Sequence, residues 1–172
     1  MAKKTKLKTT SKELVYDAPE SAPIKLEFNR ESVPILTTKW AGPESDSVDE
    51  IHSSFALQYL TPEQRIYFVN ECHRVLKVGG KLTVVVPYWS SSRAYGDLEV
   101  QWPPVVESWF SHLNAKWRND NSIDSGYTCD FDFTWGYGMH PLIQSRNLEY
   151  QQHALTFWKE AAQDFIATGT KR

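Results

Sequence analysis

The stretch SVDEIHSSFALQYLTPEQRIYFVNECHRVLKVGGKLTVVVPYW, residues 47–89, decides the fold. Val48 and Ile51, set among charged neighbours, predict a short strand that ends in Ser53-Ser54, followed by a helical turn over residues 56–60. The sequence Thr-Pro-Glu-Gln at 61–64 predicts a helix start, because threonine can cap, proline suits the first helical position and Gln64 completes a capping box.

The rest of this stretch supplies a helix and a second strand. Apolar residues at helical spacing continue to Leu76, and we expect Gly79-Gly80 to end the helix, since glycine takes the left-handed conformation at little cost. Residues 81–87, KLTVVVP, form a nearly continuous apolar run that is typical of a central strand buried on both faces. A strand, a helix and a strand within about forty residues predict a right-handed crossover and a parallel α/β sheet.

Towards the amino terminus the chain changes character. Residues 1–12, MAKKTKLKTTSK, hold five lysines and predict a basic, flexible terminus, or an arm that touches phosphate or another subunit. We assign residues 13–172 to a single domain. Short extended pieces are expected at Leu14–Tyr16, at Ile24–Phe28, where apolar and charged residues alternate, and at Val33–Thr38.

Towards the carboxyl terminus the pattern predicts a loop, two helices and two strands. Residues 88–104, YWSSSRAYGDLEVQWPP, form a long polar and aromatic loop of a length that is often functional. Apolar spacing then predicts helices over 105–118 and 146–163. Strands are expected over Tyr127–Met139, with alternating aromatic and acidic residues, and over Phe165–Thr168.

Composition narrows the function classes. The 172 residues are 41% hydrophobic and carry a net charge of −2, which excludes a strongly basic nucleic-acid coat protein. No apolar run reaches the ~18 residues of a membrane span, and no secretory signal opens the chain, so we expect a cytoplasmic protein. The two cysteines do not make a disulfide framework, and no histidine has a partner at zinc-ligand spacing, so no metal is expected.

Residues 44–89 resemble the second half of class I S-adenosylmethionine-dependent methyltransferases. The matching phrases are DSVDEI at 46–51, RVLKVGG at 74–80, where Val78 replaces the family's usual proline, and the strand from Lys81 to Pro87. The loop RAYGD…QWPP and the closing segment FIATGTKR resemble phage and bacterial members. The resemblance implies a three-layer Rossmann-like methyltransferase sheet, mostly parallel with an antiparallel edge.

One part of the family pattern is missing from the sequence. The family holds the methionine tail and ribose of its cofactor on a glycine-rich turn after the first strand, and an acidic residue after the second strand binds the ribose. Here Gly42 is the first glycine, so no such turn precedes it, and Gly136-Tyr137-Gly138 comes too late in the chain to replace it. We therefore expect an N-terminal half that is truncated or rebuilt.

Candidate site residues lie in two segments and at one histidine. By resemblance, Ser53, Ser54 and Phe55 follow the strand where the family places cofactor contacts; capping of the strand end is the other interpretation. Ligands of open α/β sheets bind where parallel strands end, and loop 88–104 starts there. Its candidate residues could stack a planar base or a sulfonium, or the loop could be a structured cover in which Arg93 pairs with Asp97. His140 is a candidate acid or base. The candidates in the loop are Tyr88, Trp89, Arg93, Tyr95, Asp97 and Trp102.

Two functions remain open at this point. The first is an active S-adenosylmethionine-dependent methyltransferase acting on a small molecule, nucleic acid or protein, since methyl transfer demands mainly positioning and desolvation. The second, which the missing turn favours, is a methyltransferase-fold pseudoenzyme without a cofactor, of phage or bacterial type, serving as a binding, regulatory or assembly subunit. Loss of the first unit would expose a sheet edge, which a protein partner or a second copy in a homo-oligomer would cover.

Overall fold

The computed structural model describes residues 8–10, 13–15, 23–36 and 40–172. Strands β1 (Lys8–Thr10) and β2 (Glu13–Val15) pair in antiparallel fashion. Most of the predicted basic terminus, residues 1–12, lies outside the described residues, and so does Tyr16 of the first extended piece.

The central unit forms as predicted. Strand β4 (Val48–Ser54) leads through a 3-10 turn (Leu57–Tyr59) to helix α2 (Pro62–Val75) and strand β5 (Leu76–Pro87). Thr61 Oγ1 accepts the N–H of Gln64 at 3.3 Å, and Gln64 Oε1 accepts the N–H of Thr61 at 2.8 Å. The capping box is therefore confirmed, and the parallel pairing of β4 with β5 confirms the crossover.

The predicted role of Gly79-Gly80 is wrong. Helix α2 ends at Val75, and β5 begins at the next residue. The two glycines instead form a bulge in β5, because the β4–β5 register passes from Val48↔Leu76 to Glu50↔Lys81. Gly79 has a φ of +79°, and a Cβ at Gly80 would lie 2.8 Å from the Lys77 carbonyl oxygen. Both positions need glycine, for a bulge and not for a helix end.

The five-stranded sheet has the order β3-β4-β5-β7-β6, with β3 at Lys25–Phe28, β6 at Phe131–Met139 and β7 at Ala162–Lys171. Strands β3, β4 and β5 are parallel, and β7 is antiparallel to both of its neighbours. The predicted Rossmann-like α/β fold, mostly parallel with an antiparallel edge, is confirmed. β7 is longer than predicted because it pairs with both β5 and β6 along its length.

The predicted extended piece at Val33–Thr38 is wrong where the structure describes it. Asn29 caps a 3-10 turn (Arg30–Ser32) that runs directly into helix α1 (Val33–Leu36). A proline one residue into a helix keeps its fixed φ and loses no hydrogen bond there. The polar cap therefore outweighs the apolar run that suggested a strand.

The two later helices are shorter than predicted. The region 105–118 holds α3 (Glu107–Ser111) and α4 (Ala115–Asp120), because Asn114 Oδ1 accepts the N–H of Trp117 at 2.9 Å and starts a new helix. The region 146–163 is preceded by α5 (Pro141–Gln144) and holds α6 (Leu148–Phe157). Its last residues already belong to β7.

The core lies on one face of the sheet. Alternate strand residues such as Ile51, Val84 and Phe165 are buried there against α2 and α3. We call the opposite side the open face. It carries His52, Lys81 and Thr168, which are exposed or half-exposed and belong to none of the buried hydrophobic clusters, so in the described part of the chain the third layer that the resemblance implied does not cover them. β5 is therefore buried on alternate residues and not, as its sequence suggested, on both faces.

Candidate functional site

The parallel strands β3, β4 and β5 end together, and we call this the carboxyl edge. Phe28 at the end of β3 is in register with Ser53 on β4, which in turn is in register with Val84 on β5. Helix α2 and the crossover it makes fix this alignment. The loops that follow β4 and β5 therefore meet, as the sequence predicts.

A cavity of about 280 Å³ lies between these two loops. This volume is just below the ~300–1,000 Å³ of typical small-molecule sites. Three of the predicted site residues, Phe55, Arg93 and Asp97, take part in its wall. The lining residues are Phe55, Gln58, Tyr59, Pro87, Arg93, Gly96 and Asp97.

Phe55 is held in an unusual conformation at the end of β4. Its φ is +53°, and its N–H donates to the Val85 carbonyl oxygen at 2.8 Å. The Arg93 guanidinium lies over the Phe55 ring at 5.2 Å and pairs with Asp164 at 2.7 Å. The predicted pairing of Arg93 with Asp97 is wrong, because β7 brings Asp164 to the carboxyl edge beside Arg93.

Asp97 belongs instead to a second network on the other side of the cavity. It accepts hydrogen bonds from the Tyr59 hydroxyl at 3.1 Å and from the Glu99 N–H at 3.0 Å, and it pairs with Arg30 at 2.8 Å. The pKa of Asp97 is lowered, mainly by the hydrogen bond from the Glu99 N–H and further by Tyr59 and Arg30. The pKa of Tyr59 is raised, mainly by burial and further by its contact with Asp97.

Arg30 and Tyr59 were missed as site residues in the sequence analysis. Arg30 begins the 3-10 turn two residues after the end of β3, lies over the Tyr59 ring at 4.7 Å and also donates to Glu99 at 2.6 Å. No local pattern could have identified this cluster, because Arg30 precedes Tyr59 by 29 positions and Glu99 by 69 positions in the chain. A lone arginine after a predicted strand was the single available signal.

Loop 88–104 is fixed from beneath by a buried arginine. Arg65, 3% exposed, donates to the carbonyl oxygens of Leu57, Gln101 and Pro103 at 3.1, 3.0 and 2.6 Å. Burial lowers the pKa of Arg65 to about 10, so the guanidinium stays charged at neutral pH. Two of these three hydrogen bonds hold the end of loop 88–104, which is the ordering that the structured-cover interpretation expects.

The remaining aromatic candidates are dispersed. Tyr88 is buried and donates to the Leu155 carbonyl oxygen at 3.3 Å, whereas Trp89 is partly exposed beside it. Tyr95 and Trp102 line a smaller cavity of about 120 Å³ and are largely exposed. The structure therefore does not bring all of these rings to one stacking site.

The serine and histidine candidates lie apart from the cavity wall. Ser53 is completely buried on the core face of β4, and its Oγ has no hydrogen-bond partner in the described part of the chain. Ser54 is half-buried on the open face. His140 is exposed and caps α5, where its Nδ1 accepts the N–H of Leu142 at 3.3 Å.

A larger groove of about 380 Å³ lies beside β6 and α4. Its walls include Trp117, Phe133 and Trp135, and none of the predicted site residues reaches it. The charged groups at its rim pair with each other, Lys116 with Asp120 and Arg172 with Asp132. The groove presents aromatic surface without a free charge.

The described residues offer neither a metal-binding cluster nor a membrane-spanning helix. No group of three or more histidine, cysteine, aspartate or glutamate side chains is placed to hold a metal ion within residues 23–36 and 40–172 or the short pieces before them. Among the same residues, none of the helices is both long enough and apolar enough to cross a membrane.

Comparison with known proteins identifies the fold. No protein-family model matches the chain, and no curated protein sequence matches it. A solved structure of a SAM-dependent methyltransferase from Archaeoglobus fulgidus matches with a TM-score of 0.55 and 11% identity, over 87% of this chain and 86% of that one. A SAM-dependent methyltransferase from Mesorhizobium loti matches at 17% identity and a TM-score of 0.41, over 79% of this chain and 66% of that one. The first of these shows that the chain shares the methyltransferase fold.

Proposed function

We propose that this chain is a methyltransferase-fold protein that does not transfer methyl groups and acts as a binding, regulatory or assembly subunit. The observation that carries the proposal is that the chain's own arginines cover the aromatic faces of the cavity. Arg93 lies over Phe55 and Arg30 lies over Tyr59. A sulfonium or a planar base would need those faces.

The residues after β3 also argue against a cofactor turn. In the family that the sequence resembles, free backbone amides at this position bind the methionine tail. Here the N–H of Glu31 donates to Asn29 Oδ1 at 3.0 Å, and the N–H of Ser32 donates to the Asn29 carbonyl oxygen at 3.0 Å. Amides that are already satisfied within the turn have less to offer an anionic ligand.

The ribose contact of the family also has no counterpart among the described strands. In the described residues β4 is the next strand after β3, so no acidic residue follows a second strand to hold a ribose. The described residues thus do not fit the methyl donor, and no step of transfer is assigned to them.

The proposal assigns different roles to the candidate residues. Phe55, Arg93 and Asp97 line a wall in which Arg93 pairs with Asp164 and Asp97 pairs with Arg30, whereas Tyr95 and Trp102 provide exposed surface for a partner. The outer side of β3 is a sheet edge of four residues that a protein partner would extend. The lysines of residues 1–12 remain a candidate contact for nucleic acid, and the sequence resemblance favours a phage or bacterial source.

Isothermal titration calorimetry with S-adenosylmethionine and S-adenosylhomocysteine tests the proposal. We expect no binding, or a Kd in the millimolar range, for the intact chain. We also expect no binding, or a Kd in the millimolar range, for the double variant Arg30→Ala/Arg93→Ala, because the amides after β3 remain capped. The Archaeoglobus fulgidus methyltransferase, run in the same buffer, is the positive control.

A micromolar Kd for the unaltered chain would overturn the proposal in favour of an active methyltransferase. Recovery of micromolar binding in the double variant alone would still support a closed site. It would assign the closure to the two guanidinium groups and not to the turn after β3.

A further inference from the structure

Strand β6 is an edge of the sheet, and part of its outer side has no hydrogen-bond partner in the described part of the chain. Backbone groups along an antiparallel strand alternate between its two sides. On the β7 side, the Asp130 carbonyl oxygen accepts the N–H of Arg172 at 3.1 Å. The next residue, Phe131, points its N–H outward to the Leu113 carbonyl oxygen at 3.0 Å. The outward groups of the following alternate residues have no partner among the described residues: Phe133, Trp135 and Tyr137.

This open part of β6 lacks the features that usually protect a sheet edge. Residues 133–139, FTWGYGM, contain no charged residue and no proline. The opposite edge, β3, is four residues long and carries Lys25 and Glu27. Lysine, proline and short length are common devices that keep a further strand from adding to an edge. The outer side of β6 is therefore the edge that is more open to strand addition.

The groove of about 380 Å³ lies along the same edge. One wall is β6, with Phe133 and Trp135 on its core face, and the other wall is α4 with Trp117. Trp135 is 49% exposed, although Ala167, its neighbour on β7, is fully buried. A strand added to β6 would direct every second side chain into this groove.

We propose that the outer side of β6 and the groove bind an extended peptide segment of a partner protein, which adds as a sixth, antiparallel strand. The outward groups of β6 recur at every second residue, ~7 Å apart, and an extended polypeptide presents donors and acceptors at that spacing. The charged side chains at the rim of the groove pair with one another. The groove therefore favours uncharged, apolar side chains, because a buried charge would find no free partner there.

A second copy of the chain suits this site less well than a free segment. If two β6 strands paired through their outward groups, the side chains that reach the groove would come from Phe133, Trp135 or Tyr137 of the other copy. The Phe133 ring is already packed over Gly169, and the Tyr137 hydroxyl donates to Glu107 at 3.2 Å. An unattached segment brings side chains that have no such contacts to give up.

Isothermal titration calorimetry with a synthetic peptide tests the proposal. The probe has about seven residues, enough to span the open edge, and alternates phenylalanine with threonine between two terminal lysines. Its ends are blocked so that terminal charges do not contribute. We expect saturable binding to the intact chain with one peptide per chain.

Two N-methylated versions of the probe distinguish backbone pairing from apolar adsorption. In an antiparallel pairing with phenylalanine in the groove, the phenylalanine amides donate to β6 and the threonine amides point away. N-methylation of the phenylalanine amides should therefore raise the Kd by about tenfold or more, whereas N-methylation of the threonine amides should change it by less than about twofold.

Two variants at one position test the same hydrogen bond from the side of the protein. Trp135→Pro and Trp135→Val both remove the indole ring, but only proline also removes the N–H. Proline is tolerated there because this N–H points outward and is not part of the ladder with β7. Trp135→Pro should bind the probe about tenfold more weakly than Trp135→Val. Trp102→Ala, which removes an exposed tryptophan outside the groove, should leave the Kd unchanged, and circular dichroism checks that all variants fold.

Amide hydrogen exchange followed by NMR locates the added strand. The outward amides of Phe133, Trp135 and Tyr137 should exchange rapidly in the free chain and slowly when the probe is bound, because exchange requires an open hydrogen bond. The amides of Thr134 and Gly136 face β7 and should be protected in both states.

Several results would overturn the proposal. They are absence of binding at millimolar probe, equal effects of the two N-methylations, equal affinity of Trp135→Pro and Trp135→Val, and unchanged exchange of the outward amides. Sedimentation velocity gives one more: a dimer that Trp135→Pro disrupts and Trp135→Val does not would overturn it in favour of a second copy.

The peptide site and the proposed function fail separately. The probe is titrated without a methyl donor, and β6 lies apart from the cavity between the loops after β4 and β5. A chain that binds neither the probe nor S-adenosylmethionine refutes only the peptide site. A chain that binds both, the donor at micromolar concentration, refutes only the loss of the cofactor site.

Discussion

Replacing Arg65 with methionine tests the interpretation of loop 88–104 as a fixed cover. Methionine keeps much of the side-chain length and apolar stem but removes three hydrogen bonds to the carbonyl oxygens of Leu57, Gln101 and Pro103. Arg65 is almost completely buried and pairs with no carboxylate in the described residues. Its contribution therefore comes from these backbone contacts and not from an ion pair.

The size of the effect follows from which carbonyl oxygens lose their partner. Hydrogen bonds to a charged group contribute about 1.5–3 kcal/mol each, which sets a ceiling of roughly 4.5–9 kcal/mol for three. The Leu57 oxygen keeps a second donor, the N–H of Leu60 at 3.2 Å, and the cost of burying the guanidinium disappears with it. We expect a net loss of about 3 kcal/mol in the free energy of unfolding, or a Tm lower by roughly 6–12 °C for a domain of this size.

Urea and thermal denaturation followed by circular dichroism measure this loss. The stability of Arg65→Lys should lie between those of the unaltered chain and Arg65→Met, because one ammonium group cannot reach all three carbonyl oxygens as the planar guanidinium does. Arg172→Met is the control, since its pair with Asp132 is about half exposed on both sides and should contribute little to the free energy of unfolding. If Arg65→Met unfolds within 0.5 kcal/mol of the unaltered chain, the loop is not held by this residue and the reasoning is refuted.

Three further predictions concern the helix cap, the bulge and acid pH. Thr61→Ala should lower the free energy of unfolding by ~0.5–2 kcal/mol in urea titration, because the capping box of α2 loses its acceptor. Gly80→Ala should lower the Tm more than Gly96→Ala does, since a Cβ at Gly80 lies 2.8 Å from a carbonyl oxygen and at Gly96 3.2 Å. The lowered pKa of Asp97 means that its stabilisation is present above its unfolded pKa of about 3.9 and is lost as pH falls through the lower folded pKa. The stability difference between the unaltered chain and Asp97→Asn should therefore be constant above about pH 5 and shrink towards pH 3; a constant difference down to pH 2 would contradict this.

The parts of the fold that could be predicted are those with local signals. The cap at Thr61, the proline after it and the apolar spacing of α2 all act within a few residues, and each is confirmed. Gly79-Gly80 gave an ambiguous signal, because a left-handed φ suits both the end of a helix and a bulge in a strand. Pairing with β4, 30 positions away, decides between the two, and no pattern within the helix shows it.

The candidate site follows the same division. The carboxyl edge could be predicted, because a crossover fixes where parallel strands end. The partners of Arg93 and Asp97 could not, since Asp164 comes from β7 and Arg30 from the turn after β3. Ion pairs across such distances in sequence depend on strand order, which residues 88–104 do not encode.

The open face has a consequence for how strictly the sheet is specified. Thr168 and Thr170 face water, whereas Ala167 and Gly169, their neighbours on β7, face the core, where the Phe133 ring packs over Gly169. A slip of β7 by one residue would turn both hydroxyls inward and leave no room for the aromatic ring. A sheet wrapped on both sides by apolar residues would tolerate such a shift more readily. Here one face of the sheet is exposed to solvent and the other is buried, so a misaligned pairing would bury polar side chains and expose apolar ones. This cost favours a single strand register.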